Sequence, residues 1–119
     1  MTRQHTIPPE WIAAAGLKDF VPAASAFRCD LPHQLMAISI IEPPMRNEGV
    51  TLDANGFNRE RMLTILNGIR ANDALPPIDV ETADPSQRPY RLRGGFHRFY
   101  ASMACGFTHI PVDVVPRLW

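Results

Sequence analysis

The residues best suited to chemistry are two adjacent glycines, Gly94 and Gly95, followed closely by His97 and Arg98. Apolar residues recur at helical spacing from Phe96 onward, so a helix is predicted to begin directly after the glycines. Glycines let a ligand approach the backbone closely, and the first turn of a helix leaves N–H groups without partners. These donors and the positive end of the helix dipole are typical of an anion-binding site. A glycine turn required only by packing, with His97 and Arg98 exposed to solvent, fits the pattern equally well.

Arginine makes up nearly all of the basic residues. The chain has 119 residues, and 11 of its 12 basic side chains are arginine, which can donate two hydrogen bonds at once to a phosphate or carboxylate. Residues 1–58 carry four basic and six acidic side chains, whereas residues 59–119 carry eight and six. The isoelectric point is about 6.9, although nucleic-acid-binding domains usually exceed about 9. Composition therefore argues against a general polyanion-binding protein and leaves open a local anion site or a solvated basic face.

The elements that position these residues follow from hydrophobic periodicity and from the 12 prolines, which exclude a helical bundle. The pattern predicts strands over Met36–Ile41, Ile78–Thr82, Tyr90–Arg93 and Ile110–Val115. It predicts helices over Trp11–Ala15, from Asn58 to about Asn72, and from Phe96 to Gly106, with Phe96, Phe99, Tyr100 and Met103 on the buried face of the last. The predicted fold class is therefore α+β, with a small mixed sheet and helices packed against it.

Residues 1–33 are predicted to form an N-terminal arm with a short helix, and residues 34–119 a single domain. The arm could pack on its own domain or pair with a second copy of the chain, which would give a homodimer. No apolar stretch reaches the ~18 residues of a membrane span, and the N-terminus lacks the pattern of a signal peptide. Cys29 and Cys105 are too few for a disulfide framework or a zinc site. We therefore expect a cytoplasmic protein without membrane association or a metal site of its own.

Two stretches, LPPIDVE and YRLRGGFHRFYASMACGFTHIPVDVV, resemble the ParB/sulfiredoxin superfamily, and their motif is most similar to that of sulfiredoxin. The resemblance extends from about Met36 to the C-terminus and does not include residues 1–33. It implies a single ParB/sulfiredoxin-like domain whose glycine turn holds the phosphates of ATP. Carried over by position, the implied nucleotide-binding residues are Arg61, Thr64, Gly94, Gly95, His97 and Arg98. Arg98 is expected to direct its guanidinium at the ligand, and Gly68 replaces a hydroxyl residue that makes a further contact in sulfiredoxins.

Phe96 is the main departure from the sulfiredoxin motif, because sulfiredoxins have their catalytic cysteine at this place. Phenylalanine offers no nucleophile, and Cys105 lies nine positions further along, so we expect no sulfinic acid reductase activity. Other members of the superfamily are ParB proteins, which bind CTP and carry a separate DNA-reading domain, and free-serine kinases, which use a glutamate after the first strand. Glu42 and Glu48 lie in the matching loop and are weak candidates for a general base, because an ordinary solvated carboxylate is the commoner explanation.

The residues and the resemblance together predict a domain that binds ATP or another NTP with Mg²⁺. Phosphoryl transfer or NTP hydrolysis are the reactions such a site could support, as in an ATPase or a small-molecule kinase. The alternative is a non-enzymatic, ParB-like DNA-associated or regulatory module that binds backbone phosphate. Its DNA association is expected to be weak, because the isoelectric point is near neutral and 119 residues leave no room for a second domain.

Overall fold

The computed structural model describes residues 7–43, 57–82 and 89–115 of the chain. Within these ranges the helices are α1 (Pro9–Ala14), α2 (Arg59–Ala71) and α3 (Phe96–Ala104). The strands are β1 (Gln34–Ala37), β2 (Ile41–Glu42), β3 (Ile78–Thr82), β4 (Tyr90–Gly94) and β5 (His109–Val114). None of the described helices combines the length and the apolar character that crossing a membrane would require.

The strands form one mixed sheet in the order β1-β5-β3-β4-β2. The pairs β1/β5 and β3/β4 are antiparallel, whereas β5/β3 and β4/β2 are parallel. Helix α3 packs against β3 and β5, and α2 packs against α3. The predicted α+β class with a small mixed sheet and helices packed against it is therefore confirmed.

The prediction that the apolar run Met36–Ile41 forms one buried strand is wrong. Strand β1 ends at Ala37, a 3₁₀ turn spans Ile38–Ile40, and β2 begins at Ile41 on the opposite edge of the sheet. The side chains of Ile38 and Ile41 are buried in the core along this crossing. A segment that crosses the core needs apolar side chains whether or not it pairs with a neighbouring strand. Composition alone therefore does not distinguish this segment from a strand.

Helix α3 buries a broader face than its spacing predicts. Phe96, Phe99 and Tyr100 are buried as expected, and Ser102 is also fully buried, but Met103 is 42% exposed. The helix lies between the sheet and α2, so consecutive residues contact different neighbours and the buried surface is wider than one stripe. The prediction that Met103 belongs to the core is wrong, since that position faces outward near the end of the helix.

The residues before β1 share the hydrophobic core of the described chain. Ile7, Trp11, Ala15, Leu17 and Phe27 are all buried in it. Backbone hydrogen bonds add to this packing: the Leu75 N–H donates to the carbonyl oxygen at position 28, and the N–H groups at positions 108 and 109 donate to the carbonyl at position 25. These contacts favour an arm that packs on its own domain, while the boundary between residues 33 and 34 and the homodimer remain predictions.

Replacing Trp11 tests whether this arm is part of the folding unit. Trp11 is 6% exposed, so Trp11→Ala should lower the free energy of unfolding by about 3–5 kcal/mol, the usual cost of truncating a buried aromatic ring. Val21 lies in the same arm but is 82% exposed, and Val21→Ala should change stability by less than about 0.5 kcal/mol. Urea unfolding of both variants measures the difference. Equal stabilities would mean that the arm does not fold together with the sheet.

Candidate functional site

An open cleft of about 890 Å³ lies where β4 runs into α3, beside the first turns of α2. The residues that line it are Asn58, Glu60, Arg61, Thr64, Ile65, Leu92, Arg93, Gly94, Gly95, Phe96, His97 and Arg98. The structure therefore brings all six predicted nucleotide-binding residues to one cleft. Their individual environments differ, and these environments determine what each can contribute.

The glycine turn is fixed by both backbone conformation and packing. Gly95 caps α3 with φ 91° and ψ 33°, in the left-handed region that favours glycine. A Cβ atom at Gly95 would lie 2.5 Å from Cγ2 of Ile78, closer than any tolerated contact. The N-cap residue Gly95 has no side chain to cap α3, so the cap position itself offers no acceptor to the N–H groups of the first turn. The packing explanation that the sequence left open thus applies to Gly95, and it leaves the uncapped helix end at the cleft.

A β-bulge lies at the end of β4, just before the turn. Asp79 of β3 opposes Gly94, and Val80 opposes Leu92, so Arg93 is the extra residue between the two pairs. Arg93 lines the cleft, and its Nη1 lies 3.6 Å from an oxygen of Glu81. The bulge thus adds a second arginine to the cleft beside Arg98.

His97 joins the N-termini of the two helices that border the cleft. Asn58 caps α2, with its Oδ1 accepting from the Arg61 N–H at 2.8 Å. The backbone N–H of Asn58 donates to Nε2 of His97 at 2.9 Å. His97 is only 6% exposed, and its Nε2 must be unprotonated to accept this bond. That nitrogen is therefore occupied by the protein, and His97 acts on the site by positioning α2.

Arg98 lies half-buried against the start of β3. Its Nη2 donates to the carbonyl oxygen of Pro77 at 3.2 Å, while its buried Nε has no hydrogen-bond partner among the described residues. Burial lowers the pKa of the Arg98 guanidinium from its ordinary value, the Asp79 carboxylate opposes this shift, and the charge of Arg61 adds to it. The expectation that the Arg98 head is directed only at a ligand is wrong in part, because part of it is held by the protein.

Helix α2 presents Arg61 and Thr64 on its exposed side, one turn apart. The hydroxyl of Thr64 donates to the backbone oxygen of Glu60 at 3.0 Å. Gly68 is buried and does not line the cleft, and a Cβ there would lie 3.3 Å from Cδ2 of Leu75. Close packing on Leu75 accounts for the glycine that interrupts the predicted stripe of contacts.

Phe96 is buried in a cluster of rings. Its centroid lies 5.1 Å from that of Phe57 and 5.0 Å from that of Tyr100. The position at which the resemblance to sulfiredoxins would place a catalytic cysteine is therefore an apolar part of the cleft wall. Cys105 does not replace it, since it lies outside the cleft lining and burial raises the pKa of its thiol to about 11.

The remaining chemical candidates lie away from the cleft or outside the described chain. Glu42 is exposed, lies 3.9 Å from Nε of Arg91, and does not line the cleft. Glu48 lies outside the described residues. Cys29 is partly buried and interacts electrostatically with Arg98, a neighbour that the sequence did not indicate.

Sequence reasoning missed Glu60 as a residue of the cleft. The only available signal was its place in the first turn of α2, four residues before Thr64 and therefore on the same side of the helix. Such an acidic residue in the first turn of a helix is common for stability alone. Its position beside three arginines of the cleft follows only from the tertiary structure.

Two separate constraints favour glycine at position 95: the positive φ angle and the close contact with Ile78. A second glycine allows their costs to be measured separately. Gly106 also has a positive φ of 89°, but a Cβ there would meet only Pro22, at 3.7 Å. Gly106→Ala should cost about 1–2 kcal/mol for the left-handed conformation. Gly95→Ala should cost a further 1–3 kcal/mol or so, because the methyl group must displace Ile78. Thermal and urea unfolding of both variants measure the two costs, and equal losses would contradict the close contact with Ile78.

Comparison with protein-family models matches residues 36–117 to the ParB N-terminal domain. A sequence search of curated proteins finds no match. One similar solved structure is the C-terminally truncated chromosome-partitioning protein ParB from Caulobacter crescentus complexed with CTP-gamma-S, with a TM-score of 0.56 and 22% identity over 73% of this chain. Another is sulfiredoxin from Arabidopsis thaliana, with a TM-score of 0.52 and 21% identity over 71% of this chain.

The two solved structures differ in how much of their length this chain matches. The chain spans 46% of the ParB chain and 86% of the sulfiredoxin chain. At these identities the two structures establish a common fold. The family model covers more than two thirds of the 119 residues, from position 36 to position 117, and on that basis the protein belongs to the ParB N-terminal domain family, with a ParB/sulfiredoxin-like fold.

Proposed function

We propose that the chain binds a nucleoside triphosphate, with the phosphates at the glycine turn and the first turns of α2 and α3. The observation that carries this proposal is the convergence of two helix N-termini and three arginines on one cleft. Each helix N-terminus has the effect of about half a positive charge. Arg61, Arg93 and Arg98 all line the cleft and can form paired hydrogen bonds to phosphate oxygens. An anion with several phosphate groups is the ligand that uses all of these donors together.

The size and lining of the cleft support a single nucleotide. Its volume of about 890 Å³ falls within the range of roughly 300–1,000 Å³ that is usual for small-molecule sites. Ile65 and Leu92 provide apolar surface in the same cleft, suitable for the ribose and base. A cleft that offers both positively charged and apolar groups suits the phosphates and the base of a nucleotide.

The unpartnered Nε of Arg98 supports phosphate binding at that residue. A buried guanidinium nitrogen without an acceptor costs free energy, because it has lost water without gaining a hydrogen bond. A small shift of the side chain that exposes Nε to the cleft would let a phosphate oxygen supply the missing acceptor, while Nη2 keeps its bond to the Pro77 carbonyl. Arg98 is therefore the proposed anchor of the phosphate end.

Two nucleotides, ATP and CTP, are the candidates for the ligand, and experiment must distinguish them. The sulfiredoxin-like motif favours ATP, whereas the Caulobacter crescentus ParB structure contains a CTP analogue. Phosphoryl transfer or hydrolysis is a further prediction without an assigned base, because Glu42 lies beside Arg91 outside the cleft lining. The proposal is therefore one of binding, and Phe96 supports the absence of a cysteine-based reaction.

The competing function is a DNA-associated module that binds backbone phosphate at the same turn. Phosphate contacts with duplex DNA weaken steeply between about 50 and 200 mM salt. A nucleotide or a duplex present at 100 times its dissociation constant should stabilise the fold by about 2.7 kcal/mol. Melting curves with ATP–Mg²⁺, CTP–Mg²⁺ and duplex DNA, each at both salt concentrations, therefore distinguish the two functions. Stabilisation by DNA alone would favour the second.

Arg98→Ala tests the proposed anchor. Loss of a charge-assisted hydrogen bond of about 1.5–3 kcal/mol should weaken binding of ATP or CTP by about 10- to 100-fold. Arg98→Lys should recover part of the affinity, since an ammonium group carries the charge without the paired donors. Both variants also lose the hydrogen bond to Pro77, so a loss of about 1 kcal/mol in stability is expected. Calorimetric titration beside urea unfolding measures the two effects separately.

Arg91→Ala is the matched control for charge. Arg91 is exposed on the strand that leads to the cleft but does not line it, so its removal changes the net charge equally without removing a proposed contact. Its affinity for nucleotide should stay within about twofold of the unmodified protein, by the small effect expected of an exposed charge. If Arg98→Ala binds nucleotide as tightly as Arg91→Ala does, the assigned anchor is wrong.

A further inference from the structure

Glu60 is the single acidic residue among the described residues that line the cleft. It is exposed at the second position of α2, next to Arg61. A carboxylate in a cleft that otherwise attracts anions would repel a triphosphate. This opposition is removed if a cation lies between the carboxylate and the phosphates.

We propose that Glu60 binds the Mg²⁺ ion that accompanies the nucleotide, so that the metal bridges this carboxylate and phosphate oxygens. The inference rests on the proposed function, since the phosphates supply most of the oxygen ligands. Mg²⁺ prefers oxygen donors, keeps several water ligands, and is usually bound through one or two carboxylates together with substrate phosphates. The donor set at Glu60 fits this chemistry.

The neighbouring donors of α2 indicate how much of the metal shell the protein can supply. Thr64 follows Glu60 by one helical turn and also lines the cleft, so a hydroxyl oxygen lies on the same side of the helix as the carboxylate. The Thr64 hydroxyl donates its proton to the backbone oxygen of Glu60, which leaves its oxygen lone pairs as acceptors for a metal-bound water. One carboxylate and one hydroxyl are too few to hold Mg²⁺ without the nucleotide.

The rest of the described chain adds no competing metal site. Among the described residues, no group of three or more His, Cys, Asp or Glu side chains could hold a metal ion. Mg²⁺ and nucleotide are therefore expected to bind together, each raising the affinity for the other by the same factor. Mg²⁺ alone should leave the melting temperature of the protein unchanged.

Glu60 also stabilises the start of α2, and the experiment must distinguish this structural effect from metal binding. An acidic residue in the first turn of a helix stabilises it through the dipole by roughly 0.3–1 kcal/mol. Glu10 provides a matched control, because it is the exposed acidic residue at the second position of α1 and does not line the cleft. Glu60→Gln and Glu10→Gln thus remove the same charge from the same helical position, one beside the cleft and one away from it.

The test is a calorimetric titration of ATP and CTP into the unmodified protein and both variants, in Mg²⁺ and in EDTA. In the unmodified protein and in Glu10→Gln, Mg²⁺ should raise nucleotide affinity at least about fivefold, the lower end of typical coupling between ligands. In Glu60→Gln this enhancement should fall below about twofold, while affinity in EDTA stays equal or rises because repulsion is removed. Melting curves with Mg²⁺ alone accompany the titrations.

The outcomes separate this inference from the proposed function. Absence of nucleotide binding to the unmodified protein in either condition would overturn the proposed function and this inference with it. Nucleotide binding with the full Mg²⁺ enhancement retained in Glu60→Gln would overturn the inference alone. A melting shift of the unmodified protein by Mg²⁺ without nucleotide would also contradict it, because the metal would then have a site that does not need phosphate.

Discussion

The hydrogen bond from the Asn58 N–H to Nε2 of His97 is the interaction on which the cleft depends. It links the cap of α2 to the first turn of α3 and is partly buried, because its acceptor His97 lies in the interior. Two helix N-termini with like partial charge repel each other when they are brought together. The ring cluster of Phe57, Phe96 and Tyr100 holds them in place by packing. Two helix N-termini of like partial charge thus lie beside one cleft, an arrangement that would favour an anion.

The backbone between β4 and α3 sets where this positive charge lies. The bulge at Arg93 ends the regular pairing with β3, and Gly95 then turns the chain so closely over Ile78 that a larger residue would have to displace that side chain. Because the turn lies on the first residues of β3, Arg98 reaches the Pro77 carbonyl and is held beside the cleft. A side chain held in this way loses less conformational freedom on binding than a free surface arginine would.

The sequence was sufficient to predict the local parts of this arrangement. The hairpin of β3 and β4, the start of α3 after the glycines, and the Asn58 cap of α2 all follow from short-range signals, and the structure has them there. The path of Met36–Ile41 across the core, and the place of Glu60 in the cleft, depend on which elements lie next to each other. Periodicity reports which residues are buried but not the neighbour that buries them. Nucleotide binding itself is a prediction that the fold supports without testing.

Phe96 explains why this cleft is better suited to holding an anion than to a cysteine-based reaction. A nucleophile at the first position of α3 would benefit from the helix dipole, which lowers the pKa of a thiol at such a place. It would also have to stay accessible, whereas Phe96 is only 8% exposed and lies against three other rings. Burying an aromatic side chain there contributes to stability. The helix end would still favour a phosphate, whereas its first residue packs in the core and offers no nucleophile.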